Sequence, residues 1–420
     1  MPRLGLGASL SGGVATGPNL NFESTWLTTS STETITLPLT DDASFETIVV
    51  DWGDGSSDTI TAYNDSEVAH EYSDGAGTKT IKIAGNLYGF QFNNAGDKAK
   101  IQSITNWGNF NLSVIKAFKG CANLNVTAGD VPTISTTTLF QTFYGCTDFN
   151  GDISGWDVSS IANFQGMFLN CVVFNQSIDN WTIKTSGSAD ITMFRMFSGC
   201  LVFDQDLNSW DISEVNNTAE MFYRADKFGE YNGAISNWKT GNVTNMNNMF
   251  RDSLLFNNAI PTVDDKWDVS NVENMSLMFS GCYDFNQDIS SWDVSSVENM
   301  SYMFQHCYDF NQGLAGWDVS KVVTMSRMFK NALAFDQDLS EWDFDDVTSA
   351  STGFNEFMNG KTGGNVMSTA NYNALLVQIE DTNEETDLVF DGGGAEPTGA
   401  GDTARAALIT RGWTITDADT

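Results

Sequence analysis

A phenylalanine returns ten times in this chain, at positions 118, 143, 168, 197, 222, 250, 279, 304, 329 and 354. Steps of 25 residues dominate, and the others are 28 or 29. Two copies show the unit most plainly: Trp267-Asp-Val-Ser-Asn-Val-Glu-Asn-Met-Ser-Leu-Met-Phe279 and Trp292-Asp-Val-Ser-Ser-Val-Glu-Asn-Met-Ser-Tyr-Met-Phe304. A unit this short cannot enclose a core of its own. It buries its apolar face only against the next copy, so a period held this long restricts the chain to a stacked array.

Within a unit, Val297, Met300, Met303 and Phe304 fall on one face of two helical turns. Ser295 stands three residues before Glu298 and Ser270 three before Glu273, the spacing of a capping box. The stretch from Phe285 to Trp292 reads as a short strand after a turn. A strand plus a helical turn per coil predicts a leucine-rich-repeat-type solenoid over residues 101–360, with about ten coils.

The flanks differ in kind. Residues 1–21 form a Gly/Ala/Ser-rich arm with one arginine and no long apolar run, so no Sec-type signal and no membrane span are expected there. Residues 22–100 alternate in the manner of strands at Thr34-Ile-Thr-Leu37 and Thr80-Ile-Lys-Ile83, with an Asp-Gly turn at Asp51-Trp-Gly-Asp-Gly55. A β-sandwich is predicted there. Residues 361–420 break the period: helices are predicted from Ser368 to Glu380 and from Thr403 to Arg411, each followed by a strand, as an α/β cap over the exposed end of the array.

Twenty basic residues stand against 54 acidic ones, a net charge of −34. Such a field repels phosphate backbones and anionic lipid, so neither nucleic acid nor membrane insertion is expected. All six cysteines (121, 146, 171, 200, 282 and 307) lie three residues after a repeat phenylalanine. Ala225, Ser253 and Ala332 fill the same slot elsewhere, which predicts a small buried site with free thiols. Trp267, Phe279, Cys282, Trp292, Phe304 and Cys307 are accordingly read as stacking residues. Aspartates recur after the tryptophans (Asp157, Asp211, Asp268, Asp293, Asp318, Asp343) and again at Asp152, Asp206, Asp288 and Asp338. The favoured reading has each bracing its own turn, with calcium bridging as the alternative. Asp51 and Asp54 are the other candidate cation ligands. No cofactor is expected. With two histidines and no nucleophile elbow, phosphate loop or metal signature, the chain does not read as an enzyme.

The Trp-Gly-Asp-Gly turn at 52–55 with His70-Glu-Tyr72 resembles the PKD-type immunoglobulin-like domain. The Met-Phe-x-x-Cys and Phe-Asn-Gln-Asp-Ile-Ser-x-Trp-Asp-Val-Ser phrases, with the tail Ala404-Arg-Ala-Ala-Leu-Ile-Thr-Arg-Gly-Trp413, resemble the BspA-like leucine-rich-repeat surface proteins and the 25–26-residue repeat surface lipoproteins of mycoplasmas. The resemblance implies surface attachment and recognition without catalysis. The missing export signal points to a virion component, such as a phage decoration, fibre or receptor-binding protein, with the arm docking to other virion or surface proteins. A bacterial adhesin and a carbohydrate-binding accessory module are the alternatives, and a homo-oligomer is compatible with each. Loops that lengthen single repeats are the expected contact sites for a glycan or protein receptor: Lys184 in 184–190, Lys227 and Tyr231 in 227–232, and Asp264 in 261–266.

Overall fold

The structure, a computed structural model, describes residues 19–183, 190–262, 266–349, 353–361 and 363–418. Near its N-terminus lie β1 (Phe22–Thr28), β2 (Glu33–Thr36), β3 (Ile48–Asp51), β4 (Ser57–Ile60), β5 (Ala69–Tyr72) and β6 (Gly77–Ala84). Further on come β7 (Ile101–Asn106), β8 (Asn111–Leu112), β9 (Asn125–Val126), β10 (Thr133–Ile134), β11 (Ile191–Thr192) and β12 (Val215–Asn217). The C-terminal segment holds α1 (Thr369–Thr382), β13 (Val389–Asp391), α2 (Ala400–Thr410) and β14 (Thr414–Thr416).

β1 forms because its period of two sends Phe22, Ser24, Trp26 and Thr28 inward. It sits inside a six-stranded sheet of order β4-β3-β6-β1-β7-β9, antiparallel except where β7 meets β9. β2 and β5 pair separately. At the turn after β3, Gly53 has φ +80, and a Cβ there would lie 2.3 Å from the Thr80 carbonyl oxygen. Glycine is therefore required. The Tyr72 hydroxyl donates to the Trp52 carbonyl at 2.8 Å, and His70 stacks on the Trp52 ring.

The expected fold, a β-sandwich followed by a leucine-rich-repeat solenoid with a strand and a helical turn per coil, is not what the chain adopts. Among the described residues the α-helices are α1 and α2 alone, both near the C-terminus. The sheets are the six-stranded one and four of two strands. No strand occupies 285–292. The main sheet also runs past residue 100 through β7 and β9, so β1–β6 do not close into a sandwich of their own.

The physical reason lies in where the amides point. A helix needs each N–H to bond four residues back along the same chain. Here Met275, Leu277, Phe279 and Gly281 donate instead to Asn299, Ser301, Met303 and Gln305 of the next repeat, at 2.8–3.1 Å. The alternate amides close three-residue turns, such as Met278 onto Met275 and Cys282 onto Phe279. Leu277 and the equivalent Tyr302 and Arg327 sit at φ +61, +62 and +57, which reverses the chain before a second helical turn can form. Repeats thus interlock rung by rung, with parallel bridges linking Asn245, Asn274, Asn299 and Thr324 in succession.

The core is a set of ring columns. Phe279 stacks on Phe304 at 5.9 Å and Phe304 on Phe329 at 5.6 Å. Phe285, Phe310 and Phe335 repeat the pattern beside them. The tryptophans form a third column, fully or nearly fully buried, with Trp317 stacked on Trp342 at 6.4 Å. The period slips at the end: Phe329 N–H bonds the Phe357 carbonyl, which places Met358, not Phe354, in the repeat-phenylalanine slot. Met358 N–H then bonds Asp391, so β13 takes the next rung.

Candidate functional site

Most repeated side chains are spent on stacking. Each aspartate of the two ladders accepts an N–H from two residues ahead, as Asp293 does from Ser295 and Asp288 from Ser290. Cys282 and Cys307 are buried free thiols whose Sγ–H donates to Phe250 and Phe279 of the preceding repeat, and Ser253 uses its Oγ in the same way. Trp267 donates its indole N–H to Ile235, a bond repeated by Trp317 to Ile289. Trp292, Phe279 and Phe304 are likewise buried. The column Asn150, Asn175, Asp204 satisfies turn amides from one repeat to the next.

Asp51 accepts the Gly53 N–H. Burial alone would raise the Asp54 carboxyl, but bonds from Ser56 and from His70, the latter at 2.7 Å, outweigh it and hold the group at about 2. Among the described residues, no group of three or more His, Cys, Asp or Glu is arranged to hold a metal ion. Lys184 and Asp264 lie outside the described residues, as does most of the 1–21 arm. Lys227 pairs with Glu230 at 2.6 Å, and Tyr231 is 82% exposed. Their loop curls around Asp204, whose two oxygens accept four backbone N–H groups, from Gly229, Tyr231, Asn232 and Gly233, at 2.7–3.0 Å. The loop is thus anchored by its backbone, and the Tyr231 ring projects from it.

A second surface is built from the repeat itself. Positions two and three before the repeat phenylalanine, and one and two after it, project on one side of the interlocked turns. Seven of the twelve lysines and arginines between residues 101 and 360 stand in these columns: Lys116, Lys119, Arg195, Arg224, Arg251, Arg327 and Lys330. Their carboxylates number three: Glu220, Asp252 and Glu356. In a chain carrying −34 overall, this one face is net basic.

It is also aromatic. Lys116 lies over Phe140, Lys119 over Tyr144, Arg195 over Phe194, Arg251 over Tyr223 and Arg327 over Tyr302, each cation 4.6–5.4 Å from its ring centroid. Such pairs hold long side chains in place and keep both partners half-buried. Near the C-terminal end, Ser276, Leu277, Asn299, Ser301, Tyr302, Thr324, Ser326, Arg327 and Asn355 line a cleft of about 530 Å³. Arg327 is fixed there by the Tyr302 hydroxyl at 2.9 Å and by Glu356 at 2.5 Å, while its buried Nε has no partner. Rigid rings, a clamped guanidinium, hydroxyls and amides make a surface suited to hydrogen-bonding and stacking.

Sequence reasoning directed attention to the loops and missed this face. The usable signal was variability beside constancy: Met-Phe recurs, while the positions flanking it vary and collect lysine, arginine, tyrosine and phenylalanine. The geometry defines a repeat protein that holds one varied face on an invariant stack. The chain belongs to the family described as Mycoplasma protein of unknown function, DUF285, which matches residues 88–191, 185–263 and 262–363. This match is compatible with the BspA-like repeat resemblance. No curated protein and no solved structure matches the chain. Among the described residues, no helix is long and apolar enough to cross a membrane.

Proposed function

We propose that this chain is a non-catalytic recognition protein displayed on an exterior surface, and that the basic, aromatic face is what it presents. The observation that carries this reading is the gathering of five cation–aromatic pairs on one side of a strongly acidic molecule. Packing does not require them, since the rings and thiols behind the face already complete the stack. Preorganised Arg and Tyr side chains are the residue types that dominate binding surfaces. A glycan or a protein receptor suits the hydroxyl-lined cleft at Tyr302 and Arg327.

The family match favours a cell-surface protein of the BspA-like type over a virion component. Mass spectrometry of envelope and virion fractions separates the two, and recovery from purified virions alone overturns the cell-surface assignment. For the face itself, the full chain is tested on glycan and extracellular-protein arrays beside a Tyr223→Ala, Tyr302→Ala, Arg327→Ala variant. Loss of at least tenfold in affinity is expected from the triple variant, and Tyr231→Ala is expected to bind as wild type. Binding that survives the triple variant and disappears with Tyr231→Ala shifts recognition to the loop.

A further inference from the structure

We infer that the N-terminal end of this face is an anion-binding cleft for the carboxylate or sulfate of an acidic saccharide. The inference rests on the reading of the face as a recognition surface and names a ligand class for one part of it. Asn94, Lys98, Lys119, Gly120, Tyr144 and Gly145 form most of the wall of a cleft of about 380 Å³, and none of its lining residues is acidic.

The cleft exists because of two glycines. The position two residues after the repeat phenylalanine has φ between +56 and +86 in this array, and it is occupied elsewhere by Asn170, Arg224, Asp252, His306 and Asn331, with single glycines at 199, 281 and 360. At Gly120 and Gly145, two successive repeats lack that side chain. Gly120 has a packing reason, since a Cβ there would lie 2.2 Å from Asn94 Oδ1. Gly145 has none: a Cβ there would meet only the Gly120 Cα, at 3.8 Å. Its φ of +73 suits glycine, but asparagine holds the same column at +60 and +58 at Asn170 and Asn331, so the open space beside Gly145 is one that an asparagine would fill.

The cations around it are arranged differently from those farther along. Arg195 and Arg327 pair with Glu220 and Glu356. Lys98 and Lys119 instead donate to neutral amide oxygens, those of Asn94 and of Gln141 (2.7 Å for the latter). Lys116 is near enough that burial and its charge together push the Lys119 amine below its ordinary value. Like charges held together without a carboxylate leave a local positive potential that an arriving anion would neutralise. The remaining chemistry is that of a sugar site, with the edge of Tyr144 and the Asn94 amide beside the ammonium groups. The net charge of −34 opposes a densely charged polyanion, so the fitting ligand carries its charges sparsely.

The test is calorimetric titration of the full chain, at low ionic strength, with a uronate hexasaccharide, a sulfated hexasaccharide free of carboxylates, and the uncharged parent sugar. Binding of either or both anionic probes, and not of the parent, is expected; which probe binds identifies the anion. Lys98→Gln with Lys119→Gln should weaken it at least tenfold. Gly145→Asn removes no charge, keeps a residue type this column already tolerates, and should weaken it similarly by filling the space. Failure of both anions to bind, or binding undiminished in both variants, overturns the cleft. Because the Tyr223, Tyr302 and Arg327 substitutions leave this cleft intact, a silent cleft with face-dependent receptor binding removes this inference alone.

Discussion

Asp204 shows how a single side chain can fix a loop that the repeat does not specify. In most repeats the equivalent column position is asparagine, whose one carbonyl oxygen accepts one or two N–H groups from the next repeat, as Asn150 does from Asn175. At the lengthened loop four backbone N–H groups converge, and only a carboxylate offers enough lone pairs, two on each oxygen. Asp204→Asn turns an NH2 toward two of these donors and takes away their acceptor inside a tightly curled, part-buried loop. A loss of about 2–3 kcal/mol is expected, measured as a lower urea midpoint. Asp206→Asn is the comparison: Asp206 holds one amide, that of Asn208, in an exposed turn, and an asparagine there supports the same turn at a cost under about 1 kcal/mol. Equal losses in the two variants would show that the four-donor arrangement carries no special weight. The single-amide turns were legible because Asp-x-Ser is a local pattern. The Asp204 cluster was not, since its donors lie 25 to 29 residues away in a loop whose curl no local spacing encodes.

At the scale of the element, the misread helix and the observed turn share one pattern. Met275, Met278 and Phe279 lie on one side in either case, because one turn of helix places i, i+3 and i+4 together. The structure departs at Leu277, whose positive φ sends the next amides to the neighbouring repeat. The sequence does hold a trace of this. Gly166 occupies the Leu277 position of its own repeat, and Gly145, Gly199 and Gly281 recur two residues after the repeat phenylalanine, all with φ from +58 to +79. Recurrent glycine and asparagine at fixed positions signal left-handed backbone, whereas Leu277, Tyr302 and Arg327 conceal it. The C-terminal helices were easier to read, since Ser368 caps α1 and its apolar residues keep the 3.6 period. Substitution at Leu277 separates the two geometries. In a helix, Gly costs about 1 kcal/mol relative to Ala and Val costs less. In the left-handed turn the order inverts: Leu277→Gly is expected to be at least about 1 kcal/mol more stable than Leu277→Val. Thermal unfolding of the two variants reads this, and a more stable valine variant would restore the helical assignment.

For the whole molecule, the thiol column makes stability a function of pH. Burial pushes all six cysteines above their ordinary value of 9.0, and the Sγ–H bonds to neighbouring carbonyls need the protonated form. A folded pKa above the unfolded one means that this stability is complete below pH 9 and is lost as pH rises, because the unfolded chain alone releases protons there. Each thiol contributes a loss that steepens above pH 9 toward a limit of about 1.4 kcal/mol per pH unit, and the six act in the same direction. Lys361 acts in the opposite direction. It fills the same slot at the end of the array, its Nζ donates to the carbonyls of Ala332, Leu333 and Phe335, and burial lowers it to about 8. Between about pH 8 and its ordinary 10.5 the unfolded chain holds the extra proton, so this group adds stability with rising pH. One lysine opposes six thiols, and the net expectation is a steep alkaline loss beginning near pH 9. The urea midpoint followed from pH 7.5 to 10 measures it. A variant with all six cysteines replaced by serine keeps the donor, as Ser253 does natively, and removes the titration. Its alkaline limb should flatten or rise slightly through Lys361; an unchanged limb would mean that the thiols do not set the alkaline limit and that the loss begins in groups outside the stack.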